Sequence, residues 1–360
     1  MPNLTTSAPG RICLFGEHQD YLHLPVITSA INLRIRISGE TRPDRRIHFS
    51  LPDIGAEETF DLQKEIPYGQ ERDYLKSVVN VLQREGIDFP TGFDCEVRGS
   101  IPINSGTSSS SALVVAWVKF LLEAVRHPRR NDLIFIAQMA HRAEVAEFKE
   151  PGGMMDHYAT SLGGVLYLDF RAPQPAQRLF PQLGAFVLGD SREAKDTKGI
   201  LRRVKNGMLA ILNNHSPALS LEKLPHLKIE AVTPLKSQLT SEAFGLLEGF
   251  LKNRDITRRA LHVLTQPVLD HRKFGALLNE HQTILRDVLK ISTPKIDRML
   301  EAALKAGAYG GKINGSGGGG CMFAYAPENT EAVAEAIRAE GGVPYIVRVD
   351  EGVRVESPRK

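Results

Sequence analysis

The hydrophobic positions of this chain repeat with two different periods. Leu33 to Ser38 alternates apolar and basic side chains, the two-residue period of a strand with one exposed face, and Phe93 to Arg98 alternates similarly. Ser111 to Arg126 is apolar on nearly every side, which predicts a helix buried in the middle of a domain. Asn131 and Asp132 supply caps for a second helix, which has to stop before the breaker Pro151-Gly152-Gly153. Val165 to Phe170 reads as a strand behind Gly163-Gly164. The second half is richer in helix, with patterns over 270–289 and 293–306. The latter has Thr293 as cap, Pro294 in its first turn and Gly307 as its stop. A strand over 321–326, a helix over 331–340 and a strand over 345–349 close the chain like a split α+β sandwich.

Between Arg171 and Pro181 the composition shifts to Pro, Gln and Ala, which places a domain boundary there, with domains at 1–178 and 179–360. A length of 360 residues agrees with two domains at roughly 150 residues each. With 42% hydrophobic and 24% charged residues the chain folds; a disordered polymer is excluded. The balance of 45 basic against 42 acidic residues is too even to argue for nucleic acid or an anionic membrane as partner. Cys13, Cys95 and Cys321 lie far apart without a CxxC pair, so neither a disulfide framework nor a zinc site is implied. A cytoplasmic protein is expected, since the first residues lack the basic start and apolar core of a signal peptide. The longest apolar run, Ala112 to Val118, is far shorter than the ~20 residues that span a bilayer.

Chemistry begins at two runs of small residues. Asn104 to Ser111 (NSGTSSSS) leads straight into the buried helix. Small residues let backbone N–H groups approach an anion, the helix N-terminus favours negative charge, and hydroxyls can bind phosphate or Mg²⁺. A flexible serine-rich linker is the plain alternative. There is no Gly-Lys-Ser/Thr, so this is not a Walker A loop. Gly315 to Gly320 satisfies GxGxxG formally, but it precedes a strand instead of opening a helix, so the dinucleotide-binding context is absent. So many glycines cost ordering entropy, which favours close approach to a ligand or to the other domain over a mere turn.

With two further segments, these loops resemble the family of galactokinase, homoserine kinase, mevalonate kinase and phosphomevalonate kinase, the GHMP kinases. Ala8 to Tyr21 (APGRICLFGEHQDY) is similar to the galactokinase signature, Pro102 to Ala112 to the family's phosphate loop, and Lys312 to Cys321 to its C-terminal glycine motif. Ala143-Glu144 and Gly153-Met154-Met155-Asp156 resemble the segment with a metal-binding Glu and the catalytic Asp. The resemblance implies an α+β, two-domain architecture: an N-terminal ribosomal-S5-like β/α domain and a C-terminal ferredoxin-like α+β domain, with the active site between them.

It also implies ATP and Mg²⁺ as cofactors. Asp156 would orient or deprotonate the acceptor hydroxyl, and Arg11 would keep Asp156 ionised and help neutralise transferring charge. Glu17, His18, Asp20, Tyr21 and Gly153 would bind the acceptor. Ser105, Gly106, Thr107, Ser108, Ser109, Ser110 and Ser111, with Gly315, Gly317 and Gly318, would bind the nucleotide, and Ser110 and Glu144 the metal. Taken on their own, Asp156 has a helix cap and Glu17-His18-Asp20 a polar turn as the plain alternative, while Trp117 reads as core rather than as a stacking platform.

Some positions depart from galactokinases. Leu22-His23-Leu24 stands where they continue with Asn and two glycines, which should reshape the pocket wall. Asn104 replaces a Gly, and His157 a Gln. Asp190 to Gly207 and Ser161 to Gly164 look closer to mevalonate kinase, although Arg11 replaces that branch's Lys, and Asp20-Tyr21 has no counterpart there. The expectation is a galactokinase-like sugar 1-kinase with a small-molecule acceptor. Mevalonate or another small alcohol, and a catalytically silent sugar and nucleotide sensor, stay open. The sequence assigns no oligomeric state.

Overall fold

The computed structural model describes residues 4–103, 105–195, 197–214 and 219–357; Asn104 lies outside them. An eight-stranded sheet organises the first part of the chain. Strand β1 (Leu4–Phe15) lies between β2 (Val26–Arg42) and the short β12 (Arg354–Val355). The order continues from β2 to β5 (Gly92–Gly99), β3 (Arg46–Leu51) and β4 (Ala56–Asp61), while β6 (Val165–Leu168) pairs with β2 and with β7 (Ala176–Leu179). Only β3 and β5 run parallel. The two alternating segments of the sequence fall inside β2 and β5, which pair with Ile37 opposite Val97. β2 extends well before Leu33 because Val26 to Ile31 is buried on both faces, which leaves no alternation to read.

Helices α2 (Ser109–Ala124) and α4 (Met155–Leu162) pack on this sheet, and α1 (Tyr74–Arg84) and α3 (Leu133–His141) pack on α2. α2 lies against β1 and β2 and also touches α1, α3 and α4, which is why it is apolar all round. Trp117 is core: it is fully buried, meets Phe49 edge-on at 4.8 Å and donates to Leu75 O at 3.1 Å. Asp132 caps α3 by accepting from Phe135 N at 3.0 Å. Instead of ending, α3 widens into a π-turn at Arg142–Ala146 that carries Glu144, an irregularity often found at functional sites.

The second sheet is antiparallel, in the order β11 (Val343–Val347), β8 (Phe186–Asp190), β10 (Cys321–Tyr325), β9 (Gly310–Ile313). Helices α8 (His271–Asp287), α9 (Pro294–Lys305) and α10 (Thr330–Ala339) pack with it, giving the split α+β sandwich expected of this part. Thr293 caps α9 as expected, accepting from Ile296 N. Helices α5 (Thr197–Asn214), α6 (Ile229–Val232) and α7 (Ser241–Leu264) complete the chain. One apolar cluster joins Phe186, Phe323 and Tyr325 of the sheet to Phe274 of α8, Phe250 of α7 and Phe15 of β1, so the two sheets share a core. No helix among the described residues is long and apolar enough to cross a membrane.

Candidate active site

A cavity of about 610 Å³ opens where β1, the start of α2, α4 and the loop after β9 meet, a size suited to small-molecule ligands. β1 is irregular there, with register shifts at Pro9/Gly10 and Cys13/Phe15, and such bulges re-aim side chains. Arg11 N donates to Thr107 O at 3.1 Å, which seats the serine-rich loop on the strand. Asn314 ties the second loop to the same place: its Oδ1 accepts from Cys13 N at 2.9 Å and its Nδ2 donates to Gly106 O at 2.8 Å. Cys321 N donates to Ser105 O at 2.7 Å. The two small-residue loops therefore lie backbone against backbone.

At one end of the cavity Arg11 grips Asp156 with two hydrogen bonds of 2.8 Å, while its third nitrogen donates to Gly106 O at 2.5 Å. Asp156 sits in the first turn of α4 and does not cap it. Burial alone would raise the Asp156 pKa; the Arg11 charge and hydrogen bonds outweigh it and hold the carboxyl below its ordinary value. Asp20 lies beside it without an ion-pair partner among the described residues; it accepts a weak bond from Met155 N at 3.4 Å and a further backbone bond from Tyr21. Burial and the neighbouring Asp156 charge raise the Asp20 pKa. Room for Asp20 exists because residue 153 is glycine: a Cβ there would stand 1.8 Å from its Oδ2.

His18 spends both ring nitrogens inside the protein, Nδ1 on the Tyr21 hydroxyl at 2.8 Å and Nε2 on Ser316 O at 3.1 Å. A carbonyl only accepts, so Nε2 carries the proton and Tyr21 donates to Nδ1. Burial lowers the His18 pKa to about 4, leaving the ring neutral near pH 7. Glu17 is buried and paired with Lys312, a fully buried lysine that also donates to Cys13 O and Ile313 O. Burial raises the Glu17 pKa and Lys312 partly offsets the rise. Its second oxygen, Oε2, has no hydrogen-bond partner among the described residues and lies 3.9 Å from His281 Nδ1.

At the other end, Ser109, Ser110 and Ser111 form the first turn of α2, whose first internal bond is Ala112 N to Ser108 O. Three backbone N–H groups are left without a helical partner and the helix dipole points the same way. The buried Ser108 hydroxyl makes no well-formed hydrogen bond among the described residues, yet lies near enough to Asp156 to help keep that carboxyl ionised. Glu144 faces this turn. Burial would raise its pKa, but a 2.8 Å contact with His157 Nε2, then the Ser110 and Ser111 hydroxyls, bring it below the usual value. A buried, ionised carboxylate beside serine hydroxyls is a donor set that fits Mg²⁺, which takes few protein oxygens. Lys195, from the loop after β8, reaches the cavity between the two loops.

The chain is similar to known proteins in sequence and in fold. The descriptions "GHMP kinases N terminal domain", "GHMP kinases C terminal" and "Galactokinase galactose-binding signature" match residues 73–164, 260–343 and 2–41. A mevalonate kinase of Pyrococcus abyssi is 30% identical over the whole of both chains. This chain is a GHMP kinase. A galactokinase of Haemophilus influenzae is 28% identical, covering 99% of this chain and 95% of that one. Among solved structures, Lactococcus lactis galactokinase complexed with galactose matches with a TM-score of 0.85 at 22% identity, over 98% of this chain and 95% of that one. Methanococcus jannaschii mevalonate kinase gives 0.74 at 19%, over 96% and 98%.

In this GHMP kinase, Arg11, Glu17, His18, Asp20, Tyr21, Gly153, Asp156, Glu144, Gly106, Ser108 to Ser111 and Gly315 all line the one cavity. Ser105 and Thr107 do not. Their hydroxyls bond each other at 2.7 Å and shape the loop from behind. Gly317 and Gly318 pack against Ile291 and Ile200, away from the cavity. Leu22 and Leu24 are fully buried in the core and His23 is exposed, so this segment does not form pocket wall as expected. Lys195, Lys312, Asn314 and the His157–Glu144 contact were not foreseen. Only the Asp190–Gly207 and Lys312–Cys321 resemblances and the His157 departure pointed near them.

Proposed function

We propose that this GHMP kinase transfers the γ-phosphoryl group of ATP to a sugar hydroxyl, in the manner of a galactokinase-type sugar 1-kinase. The supporting observation is Asp20: a carboxylate with no ion-pair partner among the described residues, in the notch at Gly153 and next to Asp156. Two adjacent carboxylates accept hydrogen bonds from hydroxyls and repel an anionic acceptor such as mevalonate. The galactokinase signature over 2–41 and the likeness to a galactose-bound galactokinase point the same way. The Pyrococcus mevalonate kinase relative favours the second reading, mevalonate as acceptor.

On the sugar reading, Asp156 accepts the proton of the attacking hydroxyl or orients it, and Arg11 keeps that carboxylate ionised. Asp20, Glu17 Oε2 and the Gly153 backbone grip hydroxyls that do not react, with Tyr21 set in place by His18. The acceptor oxygen bonds to the γ-phosphorus as the bond to the bridging oxygen breaks and ADP leaves. The nucleotide phosphates sit on the N–H groups at 109–111, with the loops at 105–108 and 315–318 shaping their seat. Ser110 and Glu144 would hold Mg²⁺, which would supply charge neutralisation there. Residues 1–178 and 179–360 act as the two domains flanking the cavity, in a cytoplasmic protein; its three cysteines are free and buried. The test is ADP release with a panel of hexoses, pentoses, uronic acids and mevalonate, and NMR of the product. Turnover confined to neutral sugars supports the reading; turnover confined to mevalonate overturns it.

A further inference from the structure

Phosphoryl transfer needs a cation at the group in flight, because charge shifts through it as one P–O bond breaks and another forms. Arg11 is the obvious choice by position, but its side chain is already committed. Nε and one terminal nitrogen hold Asp156, and the other terminal nitrogen holds Gly106 O. Turning it toward a phosphate would release the very carboxylate it keeps ionised.

Lys195 is in the opposite state. It faces the cavity, and no hydrogen bond or ion pair to its ammonium is found among the described residues. Its slot is built from glycine. A Cβ on Gly106 of the serine-rich loop would lie 2.6 Å from Lys195 Nζ, and one on Gly320 would lie 2.7 Å from its Cδ. The segment leading to Lys195 is fastened to the same glycine loop. Ser191 N and Oγ both donate to Gly320 O, at 2.9 and 2.7 Å, and Gly320 N donates to Glu193 O at 3.2 Å. A Cβ on Gly319 would press on the carbonyls of Glu193 and Ala194. The glycine run therefore gives a bare bed on which this strap lies, and the strap delivers between the two loops an ammonium that none of the described residues binds.

We propose that Lys195 is the cation that meets the transferring phosphoryl group, leaving Arg11 to position and ionise Asp156. This rests on the kinase reading above. Lys195 stays protonated throughout; the hydroxyl proton goes to Asp156 or onward to water, and ADP leaves with the electron pair of the broken bond. The groups facing Lys195 are Arg11 from β1, Asp156 from α4, Cys321 from β10 and His18 from the turn after β1. Burial and then Arg11 lower the Lys195 pKa to about 8, while burial raises the Cys321 thiol to about 12 and lowers His18 to about 4.

The test compares Lys195→Met, which keeps the stem, Lys195→Gln and Lys195→Arg with the parent enzyme. Each variant is first shown by circular dichroism to be folded. With the sugar that the parent phosphorylates best, Met and Gln should lower kcat by about 10²- to 10³-fold, and Arg should recover at least part of that loss. Calorimetry should give Mg²⁺–ADP affinity within threefold of the parent. The extra affinity gained on adding aluminium fluoride, which mimics the phosphoryl group in flight, should vanish in Met and Gln. Parent kcat should fall above about pH 8 as Lys195 loses its charge, and Lys195→Arg should not show that fall. Unchanged turnover in Lys195→Met would overturn the assignment. So would a loss of ADP affinity matching the loss of kcat, since that would make Lys195 a ground-state nucleotide contact. A parent enzyme inactive with every acceptor would fail the kinase reading itself, a result separable from either of these.

Discussion

Gly153→Ala is a one-methyl change whose effect follows from the position of Asp20. The backbone at 153 does not have a left-handed φ, so alanine brings no conformational strain. Its methyl carbon, however, would lie 1.8 Å from Asp20 Oδ2 and 2.3 Å from Cγ, so the carboxylate has to swing away. Asp20 has the 3.4 Å contact with Met155 N and a backbone bond from Tyr21 to lose, both to main-chain N–H groups beside the open cavity, and folding stability should change by about 1 kcal/mol. What is lost is an acceptor for a sugar hydroxyl. A charge-assisted hydrogen bond contributes about 1.5–3 kcal/mol, and each 1.4 kcal/mol is tenfold, so the acceptor KM should rise by about 10- to 150-fold. Arg11 and Asp156 are untouched, so kcat should stay within about threefold. Steady-state ADP release against sugar concentration measures both, and thermal unfolding checks the fold. Asp20→Ala should reproduce the KM effect, and Gly153→Ala added to Asp20→Ala should then do little more, because the methyl no longer meets a carboxylate. An unchanged KM in Gly153→Ala, or full additivity of the two changes, would refute this account of the notch.

Asp156→Asn keeps shape and removes charge, so kcat should drop by about 10³-fold while acceptor KM moves little; a KM effect without a kcat effect would make Asp156 a binding group only. Glu144→Gln should weaken Mn²⁺ binding, read by electron paramagnetic resonance in the presence of ADP, and cut turnover by about 10²-fold; an unchanged titration would remove Glu144 from the metal site. Lys312→Met strands the buried Glu17 carboxylate and should lower stability by about 3–5 kcal/mol in urea unfolding, with Glu17→Gln added to it restoring part of the loss. Equal stability of Lys312→Met and parent would mean that water reaches Glu17 after all.

Much of the site could be read from local sequence because its parts are local. Ser108 to Ser111 open a helix, Asp156 follows a Pro-Gly-Gly break, and Arg11 precedes a compact polar turn; each segment carries its chemistry within a few residues. The unforeseen parts are contacts between distant segments. Lys312 meets Glu17 across 295 residues, and Gly153 yields space to an aspartate in another motif. The Asp190–Gly207 resemblance covers Lys195 without singling it out, since its slot is built by glycines from two other segments. Leu22 and Leu24 show the converse: a departure inside a motif was expected to face the pocket, yet it serves the core. Among the elements, α7 carries no clean apolar stripe, because its buried positions include Gly249, Asn253, Arg254 and Thr257. Arg254 is satisfied there by the carbonyls of Leu224 and Leu227, a compensation visible only in three dimensions.

The central claim is that the carboxylates of Asp20 and Asp156 select a neutral polyhydroxy acceptor over an anionic one. Its most direct test is the ratio of kcat/KM for the best neutral sugar to that for R-mevalonate, measured in the parent enzyme and in Asp20→Asn. The account predicts a ratio well above one in the parent, and a fall of about tenfold or more in Asp20→Asn as the sugar loses its acceptor and the carboxylate repulsion is relieved. A parent ratio below one, or a ratio that Asp20→Asn leaves unchanged, would contradict it.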